Sequence, residues 1–458
     1  MQETVIEWLG AIGDIVWGPW LLILLVGTGI FLTIRLSFLQ FKTLPYALKL
    51  SFSPKRQDKK SEGDISHFQA LTTALAATIG TGNIAGVATA VVLGGPGAVF
   101  WMWISALFGM ATKYAEAILA VKYRVKEPSG KMAGGPMYYI EKGLKMKWLA
   151  VLFAIFGAIA AFGIGNMVQS NSVSDVLDDT FSVPVVATGV VLAVLAGLVI
   201  LGGIKSIGKV TAYIVPFMAL FYVIGGLVIL FTNLEMAGQA IAFIFTDAFT
   251  GEAVAGGAIG AVIRWGVARG VFSNEAGLGS APIAAAAART DYPGRQALVS
   301  MTQVFIDTIV VCTITGVTIV MADMYLAGEE GASLTSQSFE FFLGPTGSLI
   351  VSIGLVFFAF STILGWSYYG EKCFGYLTKH RGLTGYRVVF ILFIFVGAIV
   401  QLDVVWSFAD VMNGLMAVPN LIGLLLLSGV VVNETRKFIK VRKEEEEAEK
   451  AGSPPTES

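Results

Sequence analysis

Ala76-Ala77-Thr78-Ile79-Gly80-Thr81-Gly82-Asn83-Ile84-Ala85-Gly86 interrupts an apolar stretch, roughly residues 68–93, that is long enough to cross a bilayer. Gly80, Gly82 and Gly86, with Thr and Asn between them at the expected midplane, leave peptide N–H and C=O groups without helical partners. In hydrocarbon such groups are tolerated only where they line a cavity or hold a ligand. The segment therefore predicts a membrane helix broken for binding.

The rest of the chain agrees with a membrane setting. Of 458 residues, 55% are hydrophobic and only 14% charged, and apolar runs of membrane-spanning length recur, which defines an all-α polytopic membrane protein. A net charge of -1, with basic residues distributed by connection, gives no sign of a nucleic-acid partner. Cys312 and Cys373 show no metal-site spacing and read as core packing. Glu3, Glu7 and Asp14 put negative charge where a secretory signal needs positive, so the first helix is expected to be retained.

Eleven spans are expected, at about 20–34, 68–93, 97–121, 148–170, 185–201, 213–231, 253–287, 298–321, 348–369, 387–400 and 404–432. Alternate connections are basic: 35–60, 122–147, Lys205 with Lys209, Arg289 with Arg295, 372–381 and 436–443. The others are acidic or bare, as at Asp175, Asp178 and Asp179, at Glu235, at Glu329 with Glu330, and at Asp403. The bias toward basic cytoplasmic loops puts the N-terminus outside and the C-terminus in the cytoplasm. Connections 241–249 and 333–342 mix aromatic and polar residues, and are expected either on the membrane surface or as caps over a vestibule. The polar tail, 436–458, is expected to be disordered.

A second apolar stretch is broken by Phe272-Ser273-Asn274-Glu275-Ala276-Gly277-Leu278-Gly279-Ser280. Each break opens a block of five spans, residues 67–250 and 251–435, after an extra N-terminal helix and loop in 1–66. Because five is odd, the blocks have opposite orientation, the pattern of an inverted repeat whose site lies where its broken helices meet. A half-helix N-terminus offers N–H donors and a partial positive charge, and the preceding half offers carbonyls. In the first break the amides of Gly80, Thr81, Gly82 and Asn83 would take a carboxylate, while the carbonyls of Ala76 and Ile79 would face a cation. Hard cations prefer oxygen ligands, and Ser361 with Thr362 supply adjacent hydroxyls in another apolar span.

These motifs, together with Gly134-Gly135-Pro136-Met137-Tyr138-Tyr139, resemble the alanine or glycine:cation symporter family, also called sodium:alanine symporters, over nearly the whole chain before the tail. The resemblance implies the leucine-transporter fold, a five-plus-five inverted repeat, with one extra helix in front. It implies a sodium-coupled importer of small neutral amino acids, chiefly alanine and possibly glycine, in a prokaryotic plasma membrane. No obligatory protein partner and no enzymatic activity are implied. Carried over residue by residue, the sodium site falls on the carbonyls of Ala76, Ile79 and Phe358 and the hydroxyls of Ser361 and Thr362. The substrate pocket falls on the first break from Thr78 to Asn83, on Phe272, Ser273, Asn274 and Gly277 of the second, and on Trp366. A tyrosine that touches the carboxylate in the leucine transporter is replaced here by Asn166, Gln169 and Ser170, so that contact is in doubt.

Other polar residues leave alternatives open. Asp307, mid-span, has sodium, a proton, or Thr302 and Gln303 as candidate partners. Glu275 would cap a half-helix or gate, Lys113 and Glu116 read as an internal ion pair, and Arg264 and Arg269 either gate the outside or snorkel. Gly203-Ile204-Lys205-Ser206-Ile207-Gly208-Lys209 misses a phosphate loop because Val210 replaces its Ser or Thr and no strand precedes it. The sequence contains no HExxH or GxSxG motif. A proton-coupled permease of the same fold, and an ion channel, are the alternatives to a sodium symporter.

Overall fold

A computed structural model describes residues 2–53, 61–249, 258–400 and 403–450. The expected repeat boundary at 250/251, the expected start of a span at 253 and the tail beyond 450 lie outside them. The described residues are almost entirely helical, apart from a two-residue antiparallel pair, Val125–Lys126 with Met132–Ala133.

Among the described residues, seven helical stretches are long and apolar enough to cross a membrane: Glu7–Arg35, Ala98–Lys122, Lys147–Phe181, Gly203–Thr232, Pro293–Ala322, Pro345–Thr378 and Trp406–Leu426. An eighth is the pair His67–Thr78 and Gly82–Gly94, bent by 54° at the first glycine break. Val185–Ile200 and Leu383–Ile399 are shorter apolar helices in the positions of two more expected spans. Ala258–Asn274 ends at the second break, and the chain resumes helix at Pro282–Ala285.

Both breaks are built locally. Ser66 caps the first broken helix in a reciprocal capping box with Gln69, and Ile79 leaves the helix in an extended conformation. At the second break Glu275, Gly277 and Gly279 take positive φ values of 57°, 92° and 84°. The two glycines enter this region without cost to a side chain. Glu275 does so under restraint from its neighbours, described below.

The core is one continuous apolar cluster between the broken helices and the helices Ala98–Lys122, Lys147–Phe162, Pro293–Val304 and Pro345–Thr378. By contrast Val185–Ile200 and Gly203–Thr232 expose Val191, Leu198, Phe217 and Leu220, the apolar outer surface a bilayer requires. Both connections rich in aromatic and polar residues are helical, within Leu234–Asp247 and Gly331–Leu343. The second of these caps the first break, with Thr335 donating to the Ile84 carbonyl at 3.0 Å.

The expectation of disorder after residue 436 is corrected: Ser428–Lys450 is a helix. Composition alone misses what docks it. Phe438 is buried against Gly294, Lys122 pairs with Glu434 at 3.0 Å, and Arg295 bridges Asp291 and Glu445. Arg442 covers the Tyr46 ring at 4.0 Å.

Candidate functional site

Unwinding at Ile79 turns the last carbonyls of the first half-helix toward Pro345–Thr378. The Thr362 hydroxyl lies 3.0 Å from the Ala76 carbonyl, 3.4 Å from that of Ile79 and 2.9 Å from that of Phe358. The Ser361 hydroxyl lies 3.3 Å from the Ala76 carbonyl and 2.9 Å from that of Phe358. Five oxygens from two elements, some 285 residues apart in the chain, thus converge in a buried spot. Each hydroxyl proton can turn away and leave lone pairs inward, which gives an all-oxygen set of the kind hard cations select.

On the other side of the break the amides have neutral partners. Gly80 N donates to Asn83 Oδ1 at 3.0 Å, and Thr81 N donates to Gln169 Oε1 at 3.3 Å. Gln169 also donates to the Thr81 hydroxyl at 3.0 Å. Neutral amide oxygens on these donors are the weaker acceptors that a carboxylate displaces at a half-helix N-terminus. Space is tight at both glycines: a Cβ on Gly80 would lie 2.5 Å from Thr362 Oγ1, and one on Gly82 would lie 3.2 Å from Ser273 Cα and 3.3 Å from the Phe272 ring.

The second break meets the first through Asp307. Its carboxylate accepts from Asn83 Nδ2, Ser273 Oγ and Thr308 Oγ1, each at 2.8 Å, and Asn274 Nδ2 donates to Thr308 Oγ1 at 3.0 Å. Cys312 Sγ lies 3.3 Å from both Asn83 Nδ2 and Ser273 Oγ. Asp307 and Cys312 share one face because Phe305–Cys312 is a π-helix, in which hydrogen bonds run i to i+5.

Phe272 stacks on Trp406 at 6.1 Å, with the Arg269 guanidinium over the Phe272 ring at 5.4 Å and Asp410 3.6 Å from Arg269. Arg269, Trp406 and Asp410 of this layer line a cavity of about 630 Å³ together with Asp175, Asp179 and Glu330. Arg264 is bonded to Asp14 at 2.6 Å, so both arginines have carboxylate partners. Trp366 packs onto Gly165 and Tyr369, and the Glu275 carboxylate accepts from the Ser280 hydroxyl at 2.6 Å.

Several expected residues lie elsewhere. The Thr78 hydroxyl returns to its own helix, at the Ala74 and Leu75 carbonyls. Asn166 turns away from the breaks and donates to the Phe390 carbonyl at 2.7 Å. Gly277 points to Leu25 and Leu421, and its amide binds Glu116 at 3.1 Å. Thr302 and Gln303 do not partner Asp307; they bond to the carbonyls of Val299 and Asn274. The Lys113–Glu116 pair is present at 3.8 Å. Cys312, read as packing, belongs to the polar centre. Asn420 was missed, although an asparagine inside an apolar span is itself a signal; it accepts from Tyr139 and donates to Glu116 at 2.6 Å and to the Gly277 carbonyl at 2.9 Å.

The crowding at Gly82 predicts that Gly82→Val wedges the two breaks apart at the cost of overpacking, about 1–3 kcal/mol. The protein is expected to remain folded in detergent while losing its alanine-induced thermal shift. A full shift in this variant would separate Gly82 from the binding region.

Residues 2–451 match the profile of the sodium:alanine symporter family. The chain is 64% identical over 445 residues to the sodium/alanine symporter AgcS of Methanococcus maripaludis, covering 95% of this chain and 98% of that one. It is 38% identical over 445 residues to the probable sodium/glutamine symporter GlnT of Bacillus subtilis, covering 97% and 92%. Among solved structures, MhsT in complex with L-phenylalanine superposes with a TM-score of 0.61 at 13% identity, over 82% of this chain and 93% of that one. That likeness establishes the leucine-transporter fold.

Proposed function

The chain belongs to the sodium:alanine symporter family, and from that premise we propose that it carries sodium and a small neutral amino acid, alanine first and glycine after it, together into the cell. One observation carries the coupling: the carbonyls of Ala76 and Ile79 that meet Ser361 and Thr362 belong to the same unwound segment whose next amides, Gly80 and Thr81, face Gln169 and Asn83. A cation that fixes those carbonyls orders the amides that receive a carboxylate, so each ligand raises the affinity of the other by the same factor.

Transport proceeds by alternating access. The cavity lined by Trp406, Arg269 and Asp410 is the outer approach, and parting of the Arg269–Asp410 pair opens the way to the breaks. Lys372 bonded to Glu127 at 2.5 Å, and Arg124 bonded to the Ala286 and Ala288 carbonyls, close the opposite side. The bundle of both broken helices moves against the remainder, within repeats spanning 67–250 and 251–435. The basic connections support a C-terminal helix in the cytoplasm and an N-terminus outside.

The test is counterflow in proteoliposomes with a panel of amino acids. Alanine exchange is expected to require sodium and to fall steeply with side-chain size. Equal exchange in choline chloride under a proton gradient would replace sodium with protons, and a conductance above turnover would make the protein a channel.

A further inference from the structure

The two breaks are neutralised differently. At the second, the exposed peptide groups meet charges supplied by one helix: Lys113 Nζ donates to the Glu275 carbonyl at 3.0 Å, and Glu116 Oε1 accepts from the amides of Gly277 and Gly279 at 3.1 Å each. Lys113 and Glu116 are one turn apart on Ala98–Lys122, and neither is more than 1% exposed. At the first break, among the described residues, the carbonyls of Ala76 and Ile79 meet only the neutral hydroxyls of Ser361 and Thr362. One break carries its own cation and the other leaves room for a dissolved one.

We propose that Lys113 is a tethered cation, standing at the second break where a free cation stands at the first, and that it thereby sets how many sodium ions the protein binds. The surroundings make the exchange of ammonium for sodium chemically direct. Glu116 Oε2 is buried and accepts no hydrogen bond, its neighbour being the Lys113 ammonium. The Glu275 carbonyl faces the same group. With Lys113 shortened to alanine, these oxygens line vacated space in a region holding three carboxylates, Glu116, Glu275 and Asp307. A buried charge left without its partner is strongly disfavoured, and sodium is a cation that oxygen ligands accept. Lys113 is in this sense a positioning residue: it holds the second break and does not touch the substrate.

The proposal rests on sodium binding at the first break, and its test keeps the two apart. The thermal midpoint of the purified full-length protein is followed against sodium concentration at constant ionic strength with choline chloride. The slope against the logarithm of sodium counts the ions bound by the folded state. Lys113→Ala is expected to roughly double that slope, and Lys113→Arg to keep the slope of the unmodified protein. The double variant Lys113→Ala/Glu116→Gln removes one charge of each sign and is expected to return to the unmodified slope.

A role in packing alone lowers the midpoint at every sodium concentration and leaves the slope alone, which overturns the proposal. A slope as steep in the double variant as in Lys113→Ala also overturns it. So does a Lys113→Ala protein that fails to fold even at high sodium, because sodium must be able to replace the ammonium. A flat response in the unmodified protein defeats the reading of the first break instead.

Discussion

Asp307→Ala is expected to abolish alanine binding and to lower the thermal midpoint. The carboxylate is the shared acceptor of Asn83 from the first break, Ser273 from the second, and Thr308 on its own helix. Removing it takes the charged acceptor from three buried donors, leaving Asn83 and Ser273 the weaker Cys312 sulfur, and each unmade buried contact costs about 1–3 kcal/mol. A loss of about 3 kcal/mol or more corresponds to at least ~150-fold in affinity. Asp307→Asn keeps one acceptor oxygen but places an NH2 group among donors, so it should fall between the two. Alanine titrations in detergent at saturating sodium, with thermal midpoints of the same samples, check both. An Asp307→Ala protein that binds alanine within about fivefold of the unmodified one would show that the join between the breaks is not needed for the site.

The double variant Ser361→Ala/Thr362→Val should shift sodium activation upward while sparing substrate preference once sodium saturates. It removes both hydroxyls from the five-oxygen cluster and leaves only carbonyls. Valine keeps the shape of threonine, so packing around residue 362 changes little. At about 1 kcal/mol or more for each lost contact, the half-saturating sodium concentration should rise by at least ~30-fold. Sodium titration of alanine counterflow gives the number. An unchanged sodium dependence would remove these hydroxyls from the cation site.

The breaks themselves were legible because glycine is a local instruction. A Cβ at Gly80 would collide with Thr362 and one at Gly82 would crowd Ser273, and Gly277 and Gly279 hold positive φ values, so their identity announces the geometry. The paired hydroxyls of Ser361 and Thr362 were legible as an oddity in an apolar span. Partners across long separations were not: nothing near Asp307 in sequence points to Asn83, 224 residues away, or turns Asn166 toward Phe390. Thr78 illustrates the competing principle, since a mid-helix threonine satisfies itself on the preceding turn before it serves a ligand. The tail was misjudged because composition reports whether a segment can build a core, and this one borrows its contacts from Gly294, Arg295 and Tyr46.

The π-helical turn at Phe305–Cys312 makes chain length, as well as residue type, part of the site. Asp307 and Cys312 are five residues apart, yet both reach Asn83 and Ser273. In an α-helix each residue turns about 100°, so five steps would leave the two side chains well over 100° apart. Deleting one residue here would restore α-helical register and rotate everything on one side of the deletion relative to the other. Side chains within this turn can therefore be exchanged for others of suitable chemistry, but the count of residues between the acid and the thiol cannot change without uncoupling the polar contacts that join the two breaks.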